Sequence, residues 1–399
     1  MKKTFLFATL LFLCSLTATA FGQGYGAGNR FTIKSETLGE ERIIIVRTPP
    51  GYERNNQRYP VLYMTDGDAH VAHTGATIEF LSRNGRMPEL IVVAITNTDR
   101  TRDLTPTNAS MWRPDGSEVK LPTSGGADKF LKFIETELIP KIEKDYRTQS
   151  YRIFAGHSFG GLFALHAFLT RPEAFNAYIA VSPSMHWDNN LLSRRAEEFF
   201  KDRKELNKTV FFTLANEGGE MQAGFDRFKA TLAKSKPKGF EWDAMLMEDE
   251  DHGSVVMRSH YHGFRKIFDG WQVTADLARG GAPAIEEHYK KLSARFGFAI
   301  LPPELLMNNV GYQLLGAGKM DEAIAVFKTN IDRYPNSANV YDSLAEAYEK
   351  GGKLDLARPN YEKAVQLGQQ NNDPNLQVYK TNFERVDGLL KKVAEGKGK

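Results

Sequence analysis

Between about Phe31 and Trp271, short and almost unbroken apolar runs alternate with amphipathic stretches, which restricts the chain to few architectures. Arg42–Val46, Pro60–Met64, Leu90–Ile95, Tyr151–Ala155, Tyr178–Val181, Thr209–Leu214 and Glu241–Met247 read as strands. A strand apolar at nearly every position has no face to offer water, so these runs belong in a sheet covered on both sides. Between two of them, Ala127–Leu138 carries Phe130, Phe133, Ile134 and Leu138 at helical spacing, and Pro140 is expected to close that helix. Strands alternating with helices predict an α/β sandwich with a mostly parallel central sheet.

The last hundred residues follow another rule. No further strand pattern appears, and Gly311, Ala323, Phe327 and Pro335 fall 34 residues before Ala345, Ala357, Tyr361 and Gln369. Small residues where paired helices cross, with an aromatic one turn on, are what stacked helical hairpins require. The segment resembles the tetratricopeptide repeat in period and in these positions. Asn330, where a small residue is usual, and Pro359, inside a helix of the second copy, depart from that pattern. Pro283–Arg295 and Asn375–Ala394 are expected as flanking helices that cap the pair, with leaning of the pair on the α/β domain the alternative. The division expected is a leader over 1–20, an α/β domain over 28–272, a linker over 273–283 and a small all-α helical-repeat domain over 284–395.

The leader rests on Lys2 and Lys3, an apolar stretch from Thr4 to Leu16, and Ala18-Thr19-Ala20 as a cleavage signal. The apolar stretch is short for a membrane span, with an uncleaved anchor the competing reading, and Leu13 before Cys14 does not suit lipid attachment. Export to the periplasm or the medium is expected, with no integral span after cleavage. Cys14 is the chain's one cysteine, so the processed chain has no disulfide, thiolate nucleophile or cysteine metal site. Lys and Arg number 52 against 49 Asp and Glu, which gives nucleic acid no basic footprint.

The chemistry centres on Gly156-His157-Ser158-Phe159-Gly160, a G-x-S-x-G turn after a strand and before the helical stretch Gly161–Leu169. That context makes Ser158 a candidate nucleophile at the tip of a strained bend, above a helix N-terminus that favours negative charge. A serine hydroxyl needs a base. The chain order serine, acid, histidine places the acid after Thr209–Leu214, where Glu217 and Glu220 stand, and the base after Glu241–Met247, where His252 stands. Glu217 is preferred because it comes sooner after the strand, with Glu220 the alternative and a Ser–His dyad also open. The pairs His70/His73 and His260/His262 lack a carboxylate at metalloprotease spacing, and no metal or other cofactor is expected. The oxyanion requires two N–H donors, expected from the backbones of Phe159 and, in the Asp66-Gly67-Asp68 turn, Asp68. Arg100 and Arg102 are candidates for an anionic substrate group, against an equal reading as loop-fixing ion pairs with Asp99 or Asp103. Trp187 is a candidate wall of the acyl pocket, against an equal reading as packing alone.

Tyr63–His70, Ile95–Pro106, Gly156–Leu165, Ser182-Pro183-Ser184 and Asp251–Val255 together resemble the putative-esterase family, the esterase D-like branch of the α/β-hydrolases. That branch includes the ferric-enterobactin esterases and, more distantly, the mycolyltransferases. The resemblance covers about residues 30 to 270. It implies an α/β-hydrolase fold, an acyl-enzyme on Ser158, proton transfer by His252, and oxyanion donors at Asp68 and Phe159. Met185-His186-Trp187 stands where the family often has two aromatics. The expected function is hydrolysis of small-molecule carboxylic esters, with siderophore-type esters suggested at family level. An acyltransferase with the same site, or a scaffold that binds a protein partner through the helical repeats, are the alternatives.

Overall fold

The structure, a computed structural model, describes residues 28–112 and 117–397. The expected leader and Cys14 lie outside the described residues. Among the described residues ten strands run β1 (Asn29–Ser35), β2 (Glu40–Arg47), β3 (Tyr59–Met64), β4 (Ile91–Ile95), β5 (Met111–Trp112), β6 (Glu118–Val119), β7 (Thr148–His157), β8 (Ala177–Val181), β9 (Glu205–Ala215) and β10 (Lys238–Met247). Eight of them form one sheet in the order β1-β2-β4-β3-β7-β8-β9-β10, and β5 with β6 makes a separate two-stranded ribbon. β1 and β2 are antiparallel to their neighbours. Every pair from β4 to β10 is parallel.

The α/β domain's helices are α1 (Gly67–Arg83), α2 (Arg100–Leu104), α3 (Ala127–Phe133), α4 (Ile139–Asp145), α5 (Phe159–Thr170), α6 (Trp187–Phe200), α7 (Gly219–Lys234) and α8 (Val255–Ile267). Alternation along each central strand sorts side chains into two buried cores. Tyr63, Phe154 and Tyr178 face a layer that includes Phe130, Phe163, Phe168, Trp187 and Phe228. Leu62, Met64, Ile153 and Ala155 face Val71, Ile78, Val255 and Phe264 on the other side. This is the α/β sandwich with a mostly parallel sheet expected from the apolar runs. Pro140 does not stop its helix. The chain passes from α3 through a π-helical turn at Ile134–Leu138 directly into α4, with Pro140 in the first turn of that helix. A π turn relaxes the i→i−4 ladder where proline lacks a donor.

The segment expected as a linker is itself helical: α9 (Ala275–Arg279) starts on Thr274, whose hydroxyl accepts from the Leu277 N–H at 3.2 Å. There follow α10 (Gly281–Phe296), α11 (Glu304–Gly316), α12 (Met320–Arg333), α13 (Ala338–Lys350), α14 (Leu354–Gln370) and α15 (Leu376–Lys397). The starts of α11 and α13, and of α12 and α14, are each 34 residues apart (338 − 304 and 354 − 320). Gly311 meets the Phe327 ring so closely that a Cβ there would lie 2.4 Å from it, the small/aromatic contact that a crossing pair requires. Pro359 lies within α14 without ending it, and Asn330 is buried with its amide donating to the Glu304 carbonyl at 3.0 Å.

The helical region is fastened to the sheet through α10. Phe296 packs edge-on to Tyr151 at 5.1 Å between centroids and stacks on Phe268 at 5.3 Å. Arg295 donates to the Ile267 carbonyl at 3.2 Å. Tyr151 precedes Ser158 by seven positions on or beside β7, roughly 23 Å at 3.3 Å per residue. The helices therefore hold the end of the sheet opposite the serine.

Candidate active site

The sequence-predicted residues converge on the carboxyl edge of the sheet, where open parallel sheets place their ligands. β3 ends before Asp66-Gly67-Asp68, β7 before Ser158, β9 before Glu217 and β10 before His252. The register pairs Met64 with Ala155, so the turns after β3 and β7 stand side by side.

Ser158 has φ 60° and ψ −116°, a backbone conformation costly for any residue with a side chain. Its neighbours explain how it is held. A Cβ on Gly156 would lie 2.2 Å from the Gly160 carbonyl oxygen, and one on Gly160 would lie 2.3 Å from the Thr65 hydroxyl. The Ser158 N–H donates to the Val181 carbonyl at 2.9 Å, and its own carbonyl accepts from Leu162 at 2.9 Å and Ser184 at 3.2 Å. The bend is thus fixed by β8 and the Ser182-Pro183-Ser184 turn as well as by α5.

The imidazole of His252 donates from Nδ1 to Glu217 Oε1 at 2.5 Å. The Glu217 side chain is 11% exposed and that of His252 46%. The second carboxylate oxygen of Glu217 is buried and has no hydrogen-bond partner among the described residues. Gly218 and Gly219, both at positive φ, let the chain turn sharply after it. Glu220 is exposed in the first turn of α7 and makes no hydrogen bond to the imidazole. Asp249 pairs with Arg258 at 2.6 Å, and Asp251 accepts from the N–H groups of Gly253 and Ser254 at 2.9 and 2.8 Å. Both are therefore engaged in shaping the loop into α8.

The N–H groups of Asp68 and Phe159 lie in the first turns of α1 and α5, where a helix offers no internal acceptor. The turn after β3 divides its demands between two residues. Its positive φ (54°) falls on Asp66, whereas Gly67 is required because a Cβ there would lie 2.9 Å from the Ala94 carbonyl carbon.

Arg100 is engaged with the turns themselves. Its Nε donates to Asp66 Oδ1 at 2.7 Å, and its Nη2 reaches Asp66 Oδ2 at 3.1 Å and the His157 carbonyl at 3.0 Å. Burial works to raise the Asp66 carboxyl, and the hydrogen bonds and charge of Arg100, with the Asn97 amide, more than offset it, so its pKa lies below the usual range. Arg102 pairs with Glu40 at 2.6 Å and Asp103 at 2.7 Å, the loop-fixing alternative of the two readings offered for it. Trp187 takes the packing alternative of its two readings. It is 1% exposed, donates to the Thr107 hydroxyl at 3.0 Å and meets the Phe159 ring edge-on at 5.4 Å, so it backs Phe159 rather than facing a ligand.

A row of imidazoles escaped the sequence analysis. Ring centroids step from His252 to His157 at 4.6 Å, to His70 at 5.6 Å, to His73 at 5.2 Å and to the fully buried His260 at 6.1 Å. His260 Nδ1 shares a hydrogen bond with the Thr74 hydroxyl at 2.9 Å. The spacing of His70 and His73 on α1 hinted at one pair, but nothing linear joins them to His157 and His252. Among the described residues no group of three or more His, Cys, Asp or Glu is placed to hold a metal ion.

Fold and site define an α/β-hydrolase of the carboxylesterase type. The profile of the family described as "Putative esterase" matches residues 35–217. The Siderophore enterobactin esterase of Emericella nidulans is 36% identical over 236 residues, 49% of this chain and 77% of that protein. The Ferri-bacillibactin esterase BesA of Bacillus subtilis is 38% identical over 182 residues, 41% of this chain, and the match spans 60% of that protein's length. Among solved structures, an IroE-like serine hydrolase from Shewanella oneidensis superposes with a TM-score of 0.66 at 30% identity, covering 77% of this chain and 99% of that one. The chain belongs to this esterase family.

Proposed function

We propose that the protein is an exported serine esterase acting on siderophore-type esters, with Ser158 as nucleophile, His252 as general base and Glu217 as the acid that orients it. The observation that carries this reading is the bond from His252 Nδ1 to Glu217, made at the same sheet edge as the strained Ser158. With Nδ1 committed to a carboxylate, Nε2 is the nitrogen left to take the serine proton. Attack of Ser158 Oγ on the ester carbonyl gives a tetrahedral oxyanion, which the N–H groups of Phe159 and Asp68 stabilise. The leaving alcohol takes the proton from His252, and water, deprotonated by the same imidazole, releases the acyl group. The substrate class rests on the named activities of the Emericella and Bacillus relatives.

The helices after Gly281 belong to this reading as a two-copy tetratricopeptide-type pair with flanking helices. Their 34-residue offset supports the repeat. Attachment beside Tyr151, away from the serine, favours a partner-docking role over that of a lid. Hydrolysis of catecholate, hydroxamate and simple aryl esters by wild type and Ser158→Ala tests the function. Cleavage of siderophore-type esters that falls at least ~10³-fold in the variant is expected. Equal rates in the two proteins contradict the serine mechanism, and preference for simple aryl esters contradicts the substrate class.

A further inference from the structure

The mechanism above gives no role to His157, although the elbow itself carries it. Its Nε2–H donates to the backbone carbonyl of His252 at 2.7 Å. A carbonyl only accepts, so that bond fixes the proton on Nε2. The two rings lie 4.6 Å apart at 44°. On its other flank the edge of His70 approaches at 5.6 Å and 81°. The main chain of His157 is clamped in turn by Arg100 Nη2, which donates to its carbonyl at 3.0 Å.

His252 needs such support. It sits on the loop before α8 and is about half exposed, and a ring held by one hydrogen bond at Nδ1 still swings about that bond. We propose that His157 is a positioning residue for this esterase: it anchors the main chain of His252 and packs against its imidazole, so that Nε2 is presented to the Ser158 hydroxyl. The inference rests on the serine-esterase reading given above. It also requires that His157 be uncharged, since a cation 4.6 Å from the base opposes the imidazolium that forms there. The groups that face it are the His252 and His70 rings and the Asp66 carboxylate, itself neutralised by Arg100. Burial first, then the two rings, holds its pKa down to about 4, so it is neutral near neutral pH.

The test compares His157→Leu, which removes the donor and the ring, with His157→Gln, whose amide N–H stands close to the position of Nε2. In the leucine variant kcat is expected to fall about 10- to 100-fold with KM within about threefold, because a misplaced base affects the chemical step and not the binding surface. The acidic limb of its kcat/KM profile should move, and the glutamine variant should recover most of the loss. Thermal melting of each variant separates this from unfolding. A leucine variant with wild-type kcat and pH profile overturns the inference, as does equal loss in both variants. Failure of the underlying reading is separable, because it shows as hydrolysis undiminished in Ser158→Ala. In that event the downfield proton resonance of His252 Nδ1 still decides: retained in wild type and His157→Gln and broadened in His157→Leu supports anchoring, while identical resonances in all three contradict it.

Discussion

Arg100 and Asp66 form a two-point contact, Nε to Oδ1 at 2.7 Å and Nη2 to Oδ2 at 3.1 Å, and the same Nη2 reaches the His157 carbonyl at 3.0 Å. One guanidinium thereby ties the turn after β3, which bears the Asp68 N–H, to the elbow that bears Ser158. The planar fork of arginine suits this geometry and the point charge of lysine does not. Arg100→Lys should lower kcat about tenfold while leaving most of the stability. Arg100→Ala, which strands the largely buried Asp66 carboxylate, should cost about 2–3 kcal/mol in urea unfolding. Wild-type kcat in Arg100→Lys contradicts the bracing role.

The acid is decided by a second pair of substitutions. An amide at position 217 turns its NH2 toward His252 Nδ1 and favours the wrong tautomer. Glu217→Gln should therefore lower kcat by about 10³-fold with little change in KM. Glu220→Gln, on the exposed start of α7, should stay within about twofold. Steady-state kinetics on one ester settles the order of the two effects.

Acid should weaken the fold through its buried and half-buried histidines. Burial lowers the pKa of His70, His73, His157, His186 and His260 below 6.5, that of His157 to about 4. Between those limits the unfolded chain binds more protons than the folded one, so stability rises with pH there. It is complete above about pH 6.5 and is lost as pH falls toward 4, on the order of 3 kcal/mol from His157. Urea melts from pH 7.5 to 4.5 should show the decline, and His73→Phe, which removes one buried titrating ring, should flatten it. A pH-independent midpoint contradicts the account.

The helical region is held at a distance from the serine, and its anchor is accessible to mutation. Phe296→Ala removes the ring that meets Tyr151, Phe268 and Trp271, and should cost about 3–4 kcal/mol. Because that contact lies at the far end of β7, kcat on a small ester should stay within about threefold at a temperature where the variant is folded. Loss of activity in the folded variant contradicts the separation of the two regions.

The two sides of the sheet were legible because fully covered strands such as Ile91–Ile95 are apolar at every position. β1 was not, since Asn29–Ser35 is an edge strand and mostly half-exposed or exposed, which leaves no unbroken apolar run. Ser158, Glu217 and His252 followed from turn chemistry and chain order, two constraints that act locally. Arg100 pairs with an aspartate, as one of its two readings had it, but with Asp66 rather than Asp99 or Asp103, because that contact depends on a left-handed residue 34 positions away. Trp187 was left between pocket wall and packing for a similar reason: whether a large side chain faces a ligand or the interior is decided by packing across elements. The imidazole row joins α1, β7, the loop after β10 and α8, a relationship that exists only after folding.

The central claim is tested most directly by mass spectrometry after exposure to a fluorophosphonate, which reacts with a hydroxyl only when a neighbouring base activates it. Stoichiometric phosphonylation that maps to Ser158, is absent in Ser158→Ala and is strongly slowed in His252→Ala is the predicted result. A folded wild-type protein that remains unlabelled, or is labelled equally after His252 is removed, contradicts it.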